Sequence, residues 1–449
     1  MKCITPHNIP ELPFRIEIPH FVGDILNTLR KNGFSAFIVG GAIRDAMLGR
    51  AAIDWDVTTD AEVNEIQSVF KGIRQFSLKH ETITLVHSSI PFEVTTMKGG
   101  NGKRTDIYND LSHRDFTLNA MAYDDLKSVV LDPHGGAFDI KRKVIKAVES
   151  PYDRFREDPL RMLRAVRIAG ELDFSIDKDT IDAISSLSSI LNTVSVERVR
   201  DELIKIIMCK EPSDLLELMC ETGLMKHILP ELLEGHGMEQ NSWHIYTVFK
   251  HTIETVKNTP SNHILRVAAL LHDIGKPRVR EMINSEYHFY NHEGVSSSIA
   301  KEIMERLRFS RDEIKKVTAL ISLHMFDYNE EWSDAAVRRL IKRTGWDNVY
   351  ELLALRKADI IAHGVIDNKL DLMTHLEQRI DKMRNDSMSI DISDLAIDGK
   401  KVMELLKIEP GPEVGEALRR VLEFVIDNPE LNSEDRLAEI IKQFRQNPQ

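Results

Sequence analysis

FIVGGAIRDAMLGRAAIDWDVTT, from Phe37 to Thr59, is the stretch whose reading decides the fold. Its apolar β-type run, Phe37-Ile38-Val39, stops at Gly40-Gly41. Ala42 to Leu48 then has the spacing of a short helix, and Ile53-Asp54-Trp55-Asp56-Val57 that of a second strand. A double glycine lets backbone come close to a phosphate, and the helix after it points free N–H groups at an anion. Asp54 and Asp56 stand two apart on the expected strand, so both carboxylates project from one face. Convergent carboxylates beside a phosphate-binding turn suit paired Mg²⁺ ions. Each half alone has an ordinary explanation, a common turn or a solvated strand face. Both halves within about twenty residues, in strand–turn–helix–strand context, favour a nucleotide site.

The pattern GGxxRDxxLGRxxxDxD resembles the signature of the nucleotidyltransferase superfamily branch that holds tRNA nucleotidyltransferases and bacterial poly(A) polymerases. That resemblance makes Gly40, Gly41 and Arg44 the cradle of a triphosphate, and Asp54 and Asp56 the catalytic holders of Mg²⁺. It also singles out Glu93, in the strand-like FEVTT, as a third acid. HRDFTLNAMAYD, from His113 to Asp124, resembles the family's RRDFTxNA motif, with His113 in place of the first Arg. Arg114, Asp115 and Asn119 are then expected near the sugar and triphosphate of the incoming nucleotide; Asp115 also reads as a helix cap. Leu131 to Val148 reads as a turn and a strand closing the domain. Helices are expected over Ile18–Asn32 and Glu62–Phe70, and strands over Thr82–His87 and Phe92–Thr96.

Arg154 to Phe174, RFREDPLRMLRAVRIAGELDF, reads as one helix with Arg161, Arg164 and Arg167 every three residues. Taken alone, Asp158 is a cap, Pro159 fills the first turn and the arginines form a solvated face. The segment also resembles the family's EDxxRxxRAxRF motif, with Ile168 replacing Phe. By resemblance Asp158 and Arg161 read the base edge of the incoming nucleotide, Glu157 orients Arg161, and Arg164 joins the nucleotide site. C and A both present an amine beside an acceptor, which one Asp and one Arg can match. Val196-Glu197-Arg198 resembles a family segment that buttresses this helix.

From Leu224 the chain turns histidine-rich. His244 and His251 read as helical, and LRVAALLHDIGKP puts His272-Asp273 at a helix end. This resembles the HD phosphohydrolase superfamily. The mapping implies a divalent metal (Mn, Ni, Fe or Zn) on His251, His272, Asp273 and Asp359, with His292 and His324 as second-metal or phosphate contacts. The last stretch, Ile390 to Phe444, reads as amphipathic helices flanking a Pro-Gly turn and resembles the tail of HD-bearing members.

The resemblance implies an α+β chain, mostly α. A nucleotidyltransferase palm of mixed sheet and helices is expected over 1–148, a helical neck over 149–225, an HD domain over 226–375 and a helical tail over 376–449. With 449 residues, there is length for two to four domains. A net charge of −12 argues against a general nucleic-acid coat but leaves room for local basic grooves. Cys3, Cys209 and Cys220 form no CxxC pair, so neither a disulfide framework nor a cysteine zinc site is expected. The N-terminus has prolines where a signal peptide needs an apolar core, and no apolar run reaches the length of a membrane span. A cytoplasmic location is expected.

The function implied is addition of C and/or A of the terminal CCA to the tRNA 3′ end from CTP and ATP. The segment Met97 to Ser112, MKGGNGKRTDIYNDLS, reads as a loop and is shorter than in enzymes that add the full triplet, which raises a CC-adding specialist. A poly(A) polymerase and an HD phosphohydrolase with a binding-only first domain are the remaining alternatives.

Overall fold

The computed structural model describes residues 11–52, 54–77, 82–87, 90–98, 105–241, 244–364, 368–385 and 391–446. The chain divides into two compact units, Met1–Ile228 and Leu229–Gln449. It is mostly helical with an N-terminal mixed sheet, as the sequence implies.

The first unit begins with eight strands: β1 (Glu11–Pro13), β2 (Ala36–Val39), β3 (Asp56–Thr59), β4 (Arg74–Ser77), β5 (Thr82–His87), β6 (Ile90–Thr96), β7 (Ala122–Asp124) and β8 (Val129–Leu131). Their order across the sheet is β1-β8-β7-β2-β3-β6-β5-β4. Only β3 and β6 run parallel, with Asp56 opposite Glu93; the other neighbours are antiparallel. Val39, Ala122 and Leu131 lie side by side on three adjoining strands and close with Ile107 and Leu111 into one apolar cluster. The helix His20–Lys31 buries Val22, Ile25, Leu26 and Leu29, the face its spacing predicts.

Several boundaries differ from the sequence reading. β3 starts at Asp56, so Asp54 precedes the strand; Ile53 lies outside the described residues. The segment read as a loop before His113 ends in a helix, Ile107–Ser112, because Asp106 caps it through the Asn109 N–H. Leu131 to Val148 holds a helix, Gly136–Arg142, between β8 and a short strand, Val144–Ile145. The expected helix from Arg154 to Phe174 breaks at Asp158-Pro159 into Pro151–Glu157 and Arg161–Leu172. The chain before a proline is pushed out of helical geometry, and Asp158 is extended with φ −144°.

The second unit is almost wholly helical. Val248–Asn258, His263–Leu271, His292–Arg306, Arg311–Leu323 and Trp346–Ala362 pack together. His244 lies outside a helix, contrary to expectation, since Thr247 caps the helix at Val248. Gly399–Leu406 and Pro412–Asp427 flank the predicted turn and share an apolar cluster around Val402, Val421 and Leu437. Among the described residues no helix is long and apolar enough to cross a membrane.

Gly275 sets how closely two elements approach in this unit. Its N–H donates to Ser296 Oγ at 2.9 Å, and a Cβ there would lie 2.6 Å from the Ser296 backbone N. Gly275→Ala must therefore push away the helix that starts at His292, and overpacking of this kind costs about 1–3 kcal/mol. A urea midpoint equal to that of the unsubstituted protein would contradict the close approach.

Candidate active sites

The first site is a cleft of about 670 Å³ lined by Gly40, Gly41, Arg44, Asp54, Trp55, Asp56, Glu93, Arg114, Asp115, Asn119 and Arg164, among others. An adjoining hollow of about 320 Å³ shares Glu93, Arg114, Asp115 and Arg164 and adds Asp158, Arg161 and Arg198. Every first-unit site residue expected from sequence lines one or both spaces.

Strand pairing does most of this positioning. Asp56 opens β3 and is flanked by Val39 of β2 and Glu93 of β6. The glycine turn that follows Val39 therefore arrives beside Asp56. Gly40 has φ +78°, and a Cβ on it would lie 3.2 Å from Asp56 Oδ2, so glycine meets both demands. Asp54 reaches the cleft from the segment before β3, so shared strand geometry does not explain its convergence with Asp56. Burial, and then the charge of Glu93, push the Asp56 carboxyl up to about 6. Crowded carboxylates that resist ionisation are the donor set a hard divalent cation fits.

A chain of polar contacts runs from this turn into the helical part. Arg44 Nη1 donates to Asn119 Oδ1 at 3.0 Å, and Asn119 Nδ2 donates to Asp115 Oδ1 at 3.2 Å. Arg164 donates through Nε and Nη2 to Asp115 Oδ2 at 2.9 and 2.7 Å. Burial alone would raise the Asp115 carboxyl, but Arg164 and the Phe116 N–H hold it at about 2. Asp115 does not cap a helix. A single 3₁₀ turn, Thr117–Asn119, follows it, and its Oδ1 accepts from Phe116 N instead. Arg114 pairs with Asp110 at 3.0 Å.

Arg161 is held by Glu157 Oε2 at 3.1 Å, as expected, and also donates to the carbonyls of Arg154 and His113. Asp158 accepts from Arg198 at 3.0 Å, which gives the buttress segment a direct contact. Arg167 faces the floor of the cleft, paired with Glu171 and Glu202. Trp55, buried between the two aspartates in sequence, and Lys205 also line the cleft; residue type alone gave no reason to choose either.

The second site is a buried cluster in the second unit. His251, His272, Asp273, His292, His324 and Asp359 are all buried and brought together. Each of the four histidines places Nδ1 on a backbone carbonyl: Ala362 for His251, Ala269 for His272, Phe289 for His292 and Ile321 for His324. That arrangement places a proton on each Nδ1 and turns Nε2 inward, with a free lone pair in those rings that are neutral. Nε2 of His251, His272 and His292 and Oδ1 of Asp273 have no hydrogen-bond partner. His251 Nε2 nonetheless lies 2.9 Å from Asp359 Oδ1. Two acceptors facing each other at that distance are satisfied by a cation between them.

Burial keeps His251 neutral and pushes His324 down to about 3. His272 is the exception: burial lowers it, but Asp273 and Asp359 outweigh that and raise it to about 10. Asp273 is held well below the ordinary range, against burial, by His272 and Lys276. Lys276 sits 2.7 Å from Asp273 Oδ2, and Arg356 sits 2.6 Å from Asp359 Oδ2. Both were missed, although each stands three residues from its partner, a spacing that helical geometry makes a contact. His244 and His363 extend the cluster through His251.

Three family profiles match: "Poly A polymerase head domain" over residues 36–146, "Probable RNA and SrmB- binding site of polymerase A" over 173–235, and "tRNA nucleotidyltransferase domain 2 putative" over 289–441. The chain is 30% identical over 421 residues to a CCA-adding enzyme of Pediococcus pentosaceus, covering 91% of this chain and 94% of that one. It is 31% identical to an A-adding tRNA nucleotidyltransferase of Deinococcus radiodurans, covering 86% and 91%. A CC-adding tRNA nucleotidyltransferase of Halalkalibacterium halodurans is 42% identical across 45% of this chain and 52% of its own. The crystal structure of the Bacillus stearothermophilus CCA-adding enzyme in complex with CTP superposes with a TM-score of 0.73 at 26% identity, covering 96% and 99%.

The raised Asp56 carboxyl has a measurable consequence. An Asp that ionises near 6 when folded and near 3.9 when unfolded makes the folded protein lose stability as pH rises between those values, and the loss persists above them. In chelated buffer, Asp56→Asn should melt above the unsubstituted protein at pH 7.5 and level with it at pH 3.5. A variant that melts lower at both pH values would show that the carboxylate is not under strain.

Proposed function

The chain belongs to the tRNA nucleotidyltransferase family, and on that premise we propose that it adds C and A of the terminal CCA to the tRNA 3′ end, taking them from CTP and ATP. The observation that carries this reading is that the cleft holding Asp54, Asp56 and Glu93 shares Glu93, Arg114, Asp115 and Arg164 with the hollow lined by Asp158 and Arg161. The two adjoining spaces thus offer acids for the reacting phosphate and an acceptor–donor pair for a base.

Asp54, Asp56 and Glu93 are the residues that would hold Mg²⁺, which when bound supplies positive charge for the attacking oxygen and the departing pyrophosphate. Gly40, Gly41 and Arg44 bind the triphosphate, and Arg114 adds a planar fork for its oxygens. Asp115 and Asn119 hold the sugar edge while keeping Arg164 and Arg44 in place. The tRNA 3′ hydroxyl attacks the α-phosphate in line, so a new phosphodiester forms as the bond to pyrophosphate breaks. Asp158 accepts from the exocyclic amine of C or A, and Arg161, oriented by Glu157, donates to the neighbouring ring acceptor. No nucleic-acid template is needed, because the protein presents the complementary pattern.

A second reading of specificity is addition of CC alone. The short Met97–Ser112 segment favours it, since less chain is available to reshape the base pocket between nucleotides. The relatives named for adding CCA and A are 30% and 31% identical over 91% and 86% of this chain, and the one named for adding CC is 42% identical over only 45% of it, so identity does not choose between them.

We further propose that the histidine cluster is a metal-dependent phosphohydrolase site of the HD type. His251, His272, Asp273 and Asp359 would hold a divalent transition metal, with His292 and His324 beside it. The unpartnered Nε2 atoms and Asp273 Oδ1 support this reading, because orphaned buried acceptors are costly without a ligand. Water activated there would attack a phosphoester.

The specificity test uses tRNAs ending before CCA, after C and after CC, with CTP and ATP supplied separately. A CCA-adding enzyme extends all three, whereas a CC-adding one stops after CC and ignores ATP. Labelling of unrelated RNA with ATP would overturn both in favour of poly(A) synthesis. The two-site reading is tested by Asp54→Ala and Asp273→Ala. The first should lower nucleotide addition by about a hundredfold or more and spare Mn²⁺-dependent hydrolysis of a cyclic phosphate, and the second should do the reverse. Loss of both activities from either change would contradict two separate sites.

A further inference from the structure

We propose that His113 is a specificity-determining residue of the first site, facing the third position on the edge of the incoming base and favouring A over C. The inference rests on the reading of the chain as a tRNA nucleotidyltransferase and adds what lets its pocket tell two similar bases apart.

Asp158 and Arg161 match both bases. Cytosine presents an amine and then the acceptor N3, and adenine presents an amine and then the acceptor N1. The two part at the next position along the edge. Cytosine carries the acceptor O2 there, whereas adenine carries only a C–H. The group of the protein that faces this third position therefore weighs one base against the other.

The hydrogen bonds of Arg161 put His113 in that place. Its two Nη arms diverge. Nη1 donates to Glu157, the neighbour of Asp158, at 3.1 Å, and Nη2 donates to the His113 carbonyl at 2.7 Å. Arg161 thus stands between Asp158 and His113, and all three line the hollow of about 320 Å³. Carboxylate, guanidinium and imidazole follow one another in the order amine, ring nitrogen, third position.

The imidazole is also fixed. His113 closes the helix Ile107–Ser112, and its Nδ1 lies 2.8 Å from the Asn109 carbonyl. A carbonyl only accepts, so Nδ1 carries a proton; Ser112 Oγ donates to the same carbonyl at 2.8 Å. In the neutral ring Nε2 is then a bare acceptor, the polar atom this side chain has left to offer the hollow. An acceptor repels O2 of cytosine and tolerates the C–H of adenine. The motif that this segment resembles has Arg here, a side chain that only donates and so suits O2. A histidine that closes a helix with its ring on a carbonyl is ordinary. One whose own carbonyl holds the base-reading guanidinium, in a hollow shared with the base-reading carboxylate, bears on the choice of base.

The test measures kcat/KM for ATP and for CTP on the same tRNA, ending after CC, and again on tRNA ending after C. It is run at about pH 8.5, well above the ordinary imidazole value of about 6.5. The ATP-to-CTP ratio of the unsubstituted protein should fall about tenfold or more in His113→Arg on both tRNAs, where a donor replaces an acceptor. It should fall about threefold in His113→Phe, which keeps a ring and removes the repulsion without adding a bond. A residue needed only for packing would lower both kcat/KM values alike. A ratio unchanged in His113→Arg, or moved toward ATP, would overturn the inference and leave nucleotide addition standing. Addition of C by an unsubstituted protein that makes no use of ATP would do the same. Transfer of neither nucleotide to any of the tRNAs would overturn the reading on which the inference rests.

Discussion

The ion pair between Asp115 and Arg164 is the constraint on which the first unit depends. Asp115 is buried and ionised, a state that low-dielectric surroundings permit only beside a cation. Arg164 supplies that cation from the helix Arg161–Leu172. Arg161 and Arg154 hold the carbonyls of His113 and Ser112 in the same way. Three arginines thus fasten Ser112, His113 and Asp115 to the helices that flank Asp158. Remove the pair and a buried charge is left without a partner, a more costly outcome than never having had one. The fastening also decides function, because the acids and the base-reading residues lie on different elements.

The same rule governs the second unit through hydrogen bonds. Four histidines donate Nδ1–H to backbone carbonyls, which fixes each ring and sends Nε2 inward. The cost of those inward atoms is borne by the fold, in a core otherwise made of Leu, Ile and Val. Lys276 and Arg356 offset two carboxylate charges from outside the ring of imidazoles. Both sites follow one design: strained or unsatisfied ligand atoms inside, held by satisfied polar contacts outside.

Much of this was legible in the residues. The glycine turn, the Asp-x-Asp, the His-Asp after an apolar helix and the arginine periodicity each named side chains that line a cleft. Boundaries were read less well. Asp54 fell outside the strand, and the helix from Arg154 broke where Pro159 forbids helical geometry at Asp158. Lys276 and Arg356 went unchosen although each stands three residues from an acid already named, and Trp55 because residue type alone gave no reason to pick it.

The sequence by itself determined which chemistry the chain carries, since chemistry belongs to residue types at short spacing: glycines, paired acids, imidazoles. It determined too which helices have an apolar face, as in His20–Lys31. Only the tertiary structure decided that Asp56 stands opposite Glu93, that Arg164 closes on Asp115, and that Tyr290 shares a cavity with Asp273. Each of those pairs lies more than ten residues apart, beyond the reach of any local spacing rule. Strand register and helix packing set them, and these minimise the free energy of the whole chain, not of any local stretch.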